Sequence, residues 1–141
     1  MNVIHNHPKG FLKLQASDVS ALINAAHETR VPDPILTAIN DLIMLTRPEF
    51  EGSIEKIRKC VDYGASPRAG ISMVSIAKAY ALMEGAEHVQ WKHVKRMTKP
   101  ILRHRIKLNY EARRDCIEVD QLIDDLVGSY EQQNQKTLWE V

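Results

Sequence analysis

Gly64-Ala65-Ser66-Pro67-Arg68-Ala69 leads straight into an apolar segment that runs from Ile71 to Met83. The order of residue types reads as a helix start. Ser66 suits the N-cap, where a hydroxyl can accept an orphaned first-turn N–H. Pro67 falls at the first helical position, where a missing N–H costs nothing and the fixed φ already suits a helix. Gly64 permits a sharp turn just before the cap. Ser72, Ser75 and Lys78 form the only polar stripe of the segment. A helix with so little polar surface is expected at the centre of a bundle, with neighbours on most sides. Gly85 is its expected stop.

Arg68 is the residue that helix formation does not ask for. A cation in the first turn opposes the helix dipole, at a cost of roughly 0.3–1 kcal/mol. Two readings are open. Arg68 pairs with a surface carboxylate or faces water; or, since helix N-termini attract phosphates, its planar fork adds a bidentate donor to an anion site.

Outward from this segment the chain reads as further helices. Ser17 is an expected N-cap for a first helix, with Val19, Leu22, Ile23 and Ala26 on one face. Thr29–Val31 is an extended stretch before Pro32. Asp33 and Pro34 open a second helix with Ile35, Ile39, Leu42 and Ile43 as its stripe, ended by Pro48. Ser53 caps a short helix through Ile54, Ile57 and Val61, which delivers the chain to Gly64. Trp91, Val94, Thr98 and Ile101 share a face of a fourth main helix, bent or tightened by Pro100. Arg105–Leu108 alternates polar and apolar, as a strand does, and is expected to pair with Thr29–Val31. A last helix starts near Glu118, carries Val119, Leu122, Ile123, Leu126 and Val127 inward, and stops at Gly128. The fold class is all-α: a small bundle of four main helices plus a short one, with one tiny two-stranded pairing. Its expected domain organisation is a linker or arm at 1–16, the bundle at 17–128 and a flexible tail at 129–141.

Length and composition exclude several functions. A chain of 141 residues with a formal net charge of +1 suits one domain, and its gross charge indicates no partner. Cys60 and Cys116 fit neither a disulfide framework nor a Cys-x-x-Cys metal pattern, and they suit a reducing cytoplasmic setting. No apolar run approaches the roughly 20 residues of a membrane span, and the N-terminus does not read as a signal peptide. His5-x-His7 is too small a set to define a metal site. No local motif for nucleophilic or acid–base catalysis is present.

Six consecutive residues, Gly64–Ala69, resemble the start of the sensor 2 helix in MoxR-type AAA+ ATPases. Val31-Pro32-Asp33 is similar to the opening of the lid in that family. Ala77-Lys78-Ala79-Tyr80-Ala81 resembles its central helix, and Leu102-Arg103-His104-Arg105 followed by Tyr110-Glu111-Ala112 resembles a block further on. The likeness runs from about Leu14 to Val127. It implies that Arg68 is the sensor 2 arginine facing the nucleotide γ-phosphate, with Ser66 beside it. It also implies ATP and Mg²⁺ as ligands of a full-length ATPase, and a ring, commonly a hexamer, that acts as a chaperone. The partners implied are the nucleotide-binding core, neighbouring subunits and von Willebrand factor A-domain proteins. The chain itself has no Gly-x-x-x-x-Gly-Lys-Ser/Thr loop and no apolar strand ending in paired acids. It is therefore expected to be a lid without its catalytic core, inactive alone.

Charge supplies the rival reading. Lys92, Lys95, Arg96, Lys99, Arg103, Arg105 and Lys107 occur with no acid among them, and Asp115, Glu118, Asp120, Asp124 and Asp125 follow. One possibility is that the two sets pair inside the domain, each exposed pair adding little. Another is that the helices from Ser66 and Gln90 mimic a helix-turn-helix, with the basic 92–107 segment on nucleic acid. A third is docking on an acidic neighbouring subunit. From charge alone the last two stand level; the family likeness favours docking.

Overall fold

A computed structural model describes residues 14–139. The expected arm at 1–16, with its His5-x-His7 pair, lies almost wholly outside the described residues. In chain order the elements are α1 (Ala16–Glu28), α2 (Asp33–Leu45), α3 (Glu55–Cys60), β1 (Val61–Tyr63), α4 (Pro67–Met83), α5 (Trp91–Leu102), β2 (Lys107–Leu108), α6 (Tyr110–Arg114) and α7 (Val119–Trp139). The fold is all-α with a two-stranded antiparallel ribbon, as the patterning predicts.

The segment that starts at Pro67 is the hub. α4 packs against α1, α2 and α5, while α7 closes the far side against α2 and α5. Its buried residues are Ala69, Met73, Ala77 and Ala81, one every four positions. Three of these are alanines, so neighbouring backbones can come close. The helix is less enclosed than its composition suggests: Ile71 is 69% exposed and Met83 79%. Gly85 ends it with φ +66°, the left-handed conformation glycine adopts without penalty.

Gly64 serves a purpose other than the expected turn. A Cβ built on it would lie 2.6 Å from Thr46 O and 2.8 Å from Arg47 N. The backbone after β1 thus passes against the last turn of α2 at a distance only glycine allows. Thr46, fully buried, fastens the approach. Its hydroxyl donates to Ile43 O at 2.7 Å and accepts from Ala65 N–H at 2.9 Å. The intervening loop is tied down too: Ser53 Oγ donates to Arg47 O at 2.7 Å, and Arg58 donates through Nε and Nη2 to Ser53 O.

The tiny ribbon is present, but with other partners than expected. Lys107–Leu108 pairs with Val61–Tyr63, not with Thr29–Val31. Val61 reads as the end of the short helix; in the structure α3 stops at Cys60, and the β-branched Val61 is extended, buried and opposite Leu108. Arg30 instead makes a single parallel bridge to His88, with Val89 N–H donating to Arg30 O. The short α6 was not foreseen. Asn109 caps it, accepting from Ala112 N–H at 2.8 Å.

α1 also differs from expectation. It begins two residues earlier than an N-cap at Ser17 allows, at Ala16, with Gln15 at the N-cap and Asp18 accepting from the Gln15 N–H at 2.8 Å. Although α1 packs against α4, the large side chains of its apolar face stay about half exposed: Val19, Leu22 and Ile23 are 45%, 53% and 52% exposed.

Gly128 is not a stop. α7 continues through it, with one non-helical residue at Asn134, and the stretch expected to be flexible holds buried Tyr130 and Leu138. Side-chain anchors explain the continuation. Tyr130 donates to Asp41 Oδ2 on α2 at 2.9 Å and packs its ring against Trp91 at a centroid distance of 5.9 Å. Burial and the Asp41 carboxylate together hold the Tyr130 phenol well above its ordinary pKa. Glu131 accepts from Trp91 Nε1 at 2.7 Å and from Lys95 Nζ at 2.9 Å. Burial alone would raise its pKa, but these two donors outweigh burial and leave it lowered.

The glycines give a contrasting set of tests. Gly64→Ala forces backbone apart and should cost about 1–3 kcal/mol, seen as a melting point several degrees lower. A Cβ on Gly70 would meet Ile43 Cγ1 at 3.6 Å, an ordinary contact, and one on Gly128 would meet nothing within 4 Å. Both are helical, so Gly70→Ala and Gly128→Ala should each stabilise by about 0.5–1 kcal/mol. A second test uses pH. Because the folded-state pKa of Glu131 is lowered, the unfolded chain binds the proton more readily there. Stability from this group is complete above the ordinary carboxylate range, near pH 4–5, and is lost as pH falls through the folded pKa. Melting curves against pH should therefore drop on the acid side, and Glu131→Gln should make that drop shallower.

Candidate functional site

Arg68 lies in the first turn of α4, immediately after the stretch clamped by Thr46. Its side chain is exposed, and among the described residues it has neither a carboxylate nor a hydrogen-bond acceptor. No acid occupies that turn. Ser66 holds the N-cap backbone position with extended φ and ψ, but its hydroxyl makes no capping bond, contrary to the expected role. Pro67 has no N–H to offer and Ala69 N–H bonds to Ser66 O at 2.9 Å, so in the first turn the Arg68 N–H is the donor left for an acceptor from outside the helix. Ser66, Pro67 and Arg68 are all exposed. Beside them α2 and α4 enclose an apolar cleft of about 270 Å³, lined by Leu36, Ile39, Ile43, Pro67, Ile71 and Val74 among others.

The basic segment has a different character. Lys92 pairs with Glu84 at 2.9 Å, and Arg96 reaches the same carboxylate at 3.7 Å while stacking over Tyr80. Lys95 pairs with Glu131, Lys99 with Asp124 at 2.7 Å and Arg103 with Asp120 at 2.6 Å. α5 and α7 are thus zipped by their charges, as the internal-pairing reading has it. The cleft of about 570 Å³ between them is lined by cations that already hold carboxylates. This disfavours the nucleic-acid reading, because a phosphate backbone would have to displace those acids first.

Glu84 is a hub of three side-chain contacts. Besides Lys92 and Arg96 it meets His93 Nε2 at 3.1 Å. His93 is 1% exposed, and its Nδ1 accepts from Gln90 N–H at 2.9 Å. An accepting Nδ1 places the ring proton on Nε2, where it donates to Glu84. The donors of Lys92, then His93, hold the Glu84 carboxyl below its ordinary pKa. The His at the fourth position of Gln90-x-x-His93 could have signalled this cap; nothing local in sequence points to Glu84 as its partner.

Mg²⁺, which the family likeness implies for a full ATPase, finds no ligand set here. Among the described residues no three His, Cys, Asp or Glu side chains are grouped to hold a metal. No described helix is long and apolar enough to cross a membrane.

Comparison with known proteins completes the assignment. The model of the AAA lid domain matches residues 55–126, just over half the chain. Chaperone MoxR1 of Mycobacterium tuberculosis is 27% identical over 111 residues, covering 79% of this chain and 29% of that protein. The uncharacterized protein YeaC of Bacillus subtilis is 25% identical over 126 residues, covering 79% of this chain and 39% of that protein. A solved structure, that of a candidate ATPase from Cytophaga hutchinsonii, superposes with a TM-score of 0.76 at 32% identity, covering 79% of this chain and 34% of that one. The chain therefore spans about a third of the length of the relatives it matches. With its hub helix, its ribbon and its Gly64–Ala69 start in place, it belongs to the AAA lid domain family and is a lid of the MoxR type.

Proposed function

We propose that this lid senses nucleotide for an AAA+ ATPase, with Arg68 as the sensor 2 residue and Ser66 beside it. The observation that carries the proposal is the state of Arg68: a cation at the unfavourable end of a helix, exposed, with no acid near it among the described residues. Folding gives no return for it there. A γ-phosphate, bound by a catalytic core, would supply the missing counter-charge, and the bidentate fork suits that ligand. ATP and ADP would then favour different orientations of the lid, and hydrolysis would move subunits against one another.

The unburied apolar side chains support an assembled lid. Leu14 ahead of α1 and Val19, Leu22 and Ile23 on it, with Leu36 and Ile71, expose more apolar surface than an isolated domain needs. We assign this surface to contact with the nucleotide-binding core and neighbouring subunits. A hexameric, cytoplasmic, chaperone-like ring whose partners include von Willebrand factor A-domain proteins is the assembly this reading implies. Mg²⁺ would be held by the core, and the chain alone would not hydrolyse ATP.

The test is substitution of Arg68 in the complete ATPase, with melting of the lid measured alongside. Arg68→Ala should leave lid stability within about 0.5 kcal/mol, as for other surface changes. Turnover should fall tenfold or more, because the lost contact strengthens as charge develops on the phosphate. Arg68→Lys should restore only part of it. Wild-type turnover by Arg68→Ala would remove the sensor role, and unfolding would make the residue structural.

A further inference from the structure

Arg105 breaks the pattern of its own segment. Lys92, Lys95, Arg96, Lys99 and Arg103 each hold a carboxylate of α7 or Glu84. Arg105 holds none among the described residues. Its Nη1 donates to Ile101 O at 3.0 Å, and its Nη2 reaches Ser72 Oγ on α4 at 3.4 Å. Ser72 is one helical turn beyond Arg68, and its hydroxyl donates to Arg68 O at 3.0 Å. The guanidinium of Arg105 is thus steered away from the acidic helix α7 and onto the face of α4 that carries Arg68.

This placement is electrostatically unfavourable unless something anionic joins it. Arg68 lies in the first turn of α4, at the positive end of its dipole, Arg105 reaches Ser72 in the second turn, and no acid occupies the first turn. A guanidinium has five N–H donors, of which Arg105 uses two internally. The rest remain exposed to solvent. The contact to Ile101 O fixes the side chain, so little rotamer freedom is left to lose when an anion binds.

We infer that Arg105 is a second phosphate-binding arginine, acting with Arg68 on the terminal phosphate of a nucleoside triphosphate, and that Ser72 positions it. The inference rests on the sensor reading of Arg68 for the identity of the ligand. A triphosphate carries more negative charge at that end than a diphosphate, so two guanidinia discriminate between them better than one.

The experiment measures Kd for a non-hydrolysable ATP analogue and for ADP on the complete ATPase, in wild type and in Arg68→Ala, Arg105→Ala and Arg105→Lys, with melting of each. Loss of one charge-assisted contact should reduce the preference for the analogue about tenfold in Arg105→Ala. Arg105→Lys, which keeps the charge and stem but not the fork, should recover part of that preference; it is also the variant to read if Arg105→Ala does not assemble. A preference eroded by Arg68→Ala but intact in both Arg105 variants would overturn the inference and leave the sensor reading standing. Equal weakening of both nucleotides by the Arg105 variants would also overturn it, since docking on a protein carboxylate has that signature. Erosion by the Arg105 variants but not by Arg68→Ala would remove Arg68 from the sensor role and overturn the paired site inferred here.

Discussion

One side chain and one missing side chain set the geometry on which the rest depends. The Thr46 hydroxyl satisfies the Ile43 carbonyl and the Ala65 N–H at once, in a position with no access to water. Gly64, having no Cβ, lets the two backbones meet there. A buried hydroxyl that fills both roles has no unmet demand, so the contact specifies one arrangement rather than a family of them. The start of α4 is thereby fixed against the end of α2. Everything at that start inherits the constraint: Ser66 at the N-cap, Pro67, and the Arg68 side chain that leaves the helix just beyond. A sensing residue needs such a support, because a loosely held arginine would spend its binding free energy on ordering itself.

Charge works differently in the two halves of the bundle. Along α5 and α7 it holds helices together. The pairs are mostly exposed, and each contributes little by itself. The desolvated members, Glu131 with Trp91 and His93 with Glu84, decide the register, because a buried donor left without an acceptor is costly. Around the opening of α4 the opposite holds. There, among the described residues, Arg68 and Arg105 hold no carboxylate, and an arriving anion would lower their free energy. A near-zero net charge conceals this division.

The unburied face of α1 sets the limit of the domain as an independent body. Its side chains follow helical periodicity, yet Val19, Leu22 and Ile23 are about half exposed, while Ala25 and Ala26 are half-buried on a helix that packs against α4. Large apolar side chains left this exposed leave room for a second surface, the contact proposed above. This agrees with a chain that spans about a third of its relatives.

The sequence by itself determined the elements whose signals are local. Helix periodicity placed α2, α4, α5 and the first half of α7, Pro67 placed the start of α4, Gly85 its end, and the motif Gly64–Ala69 carried the family. These signals are local because caps, prolines and 3.6-residue periods act within a few residues of themselves. Tertiary structure alone decided the matters of partnership. Alternation at Arg105–Leu108 announced a strand but not Val61–Tyr63 as its mate, since a two-residue ribbon has no turn to fix its partner. Gly128 reads as a stop, and it is overruled because Tyr130 and Leu138 find buried places further along. Thr46 gave no sign of its role, because it lies 19 residues from the N–H it accepts. Arg105 was indistinguishable from its paired neighbours until α4 was seen beside it: which charge meets which is a property of the assembled surface, not of the order of residues.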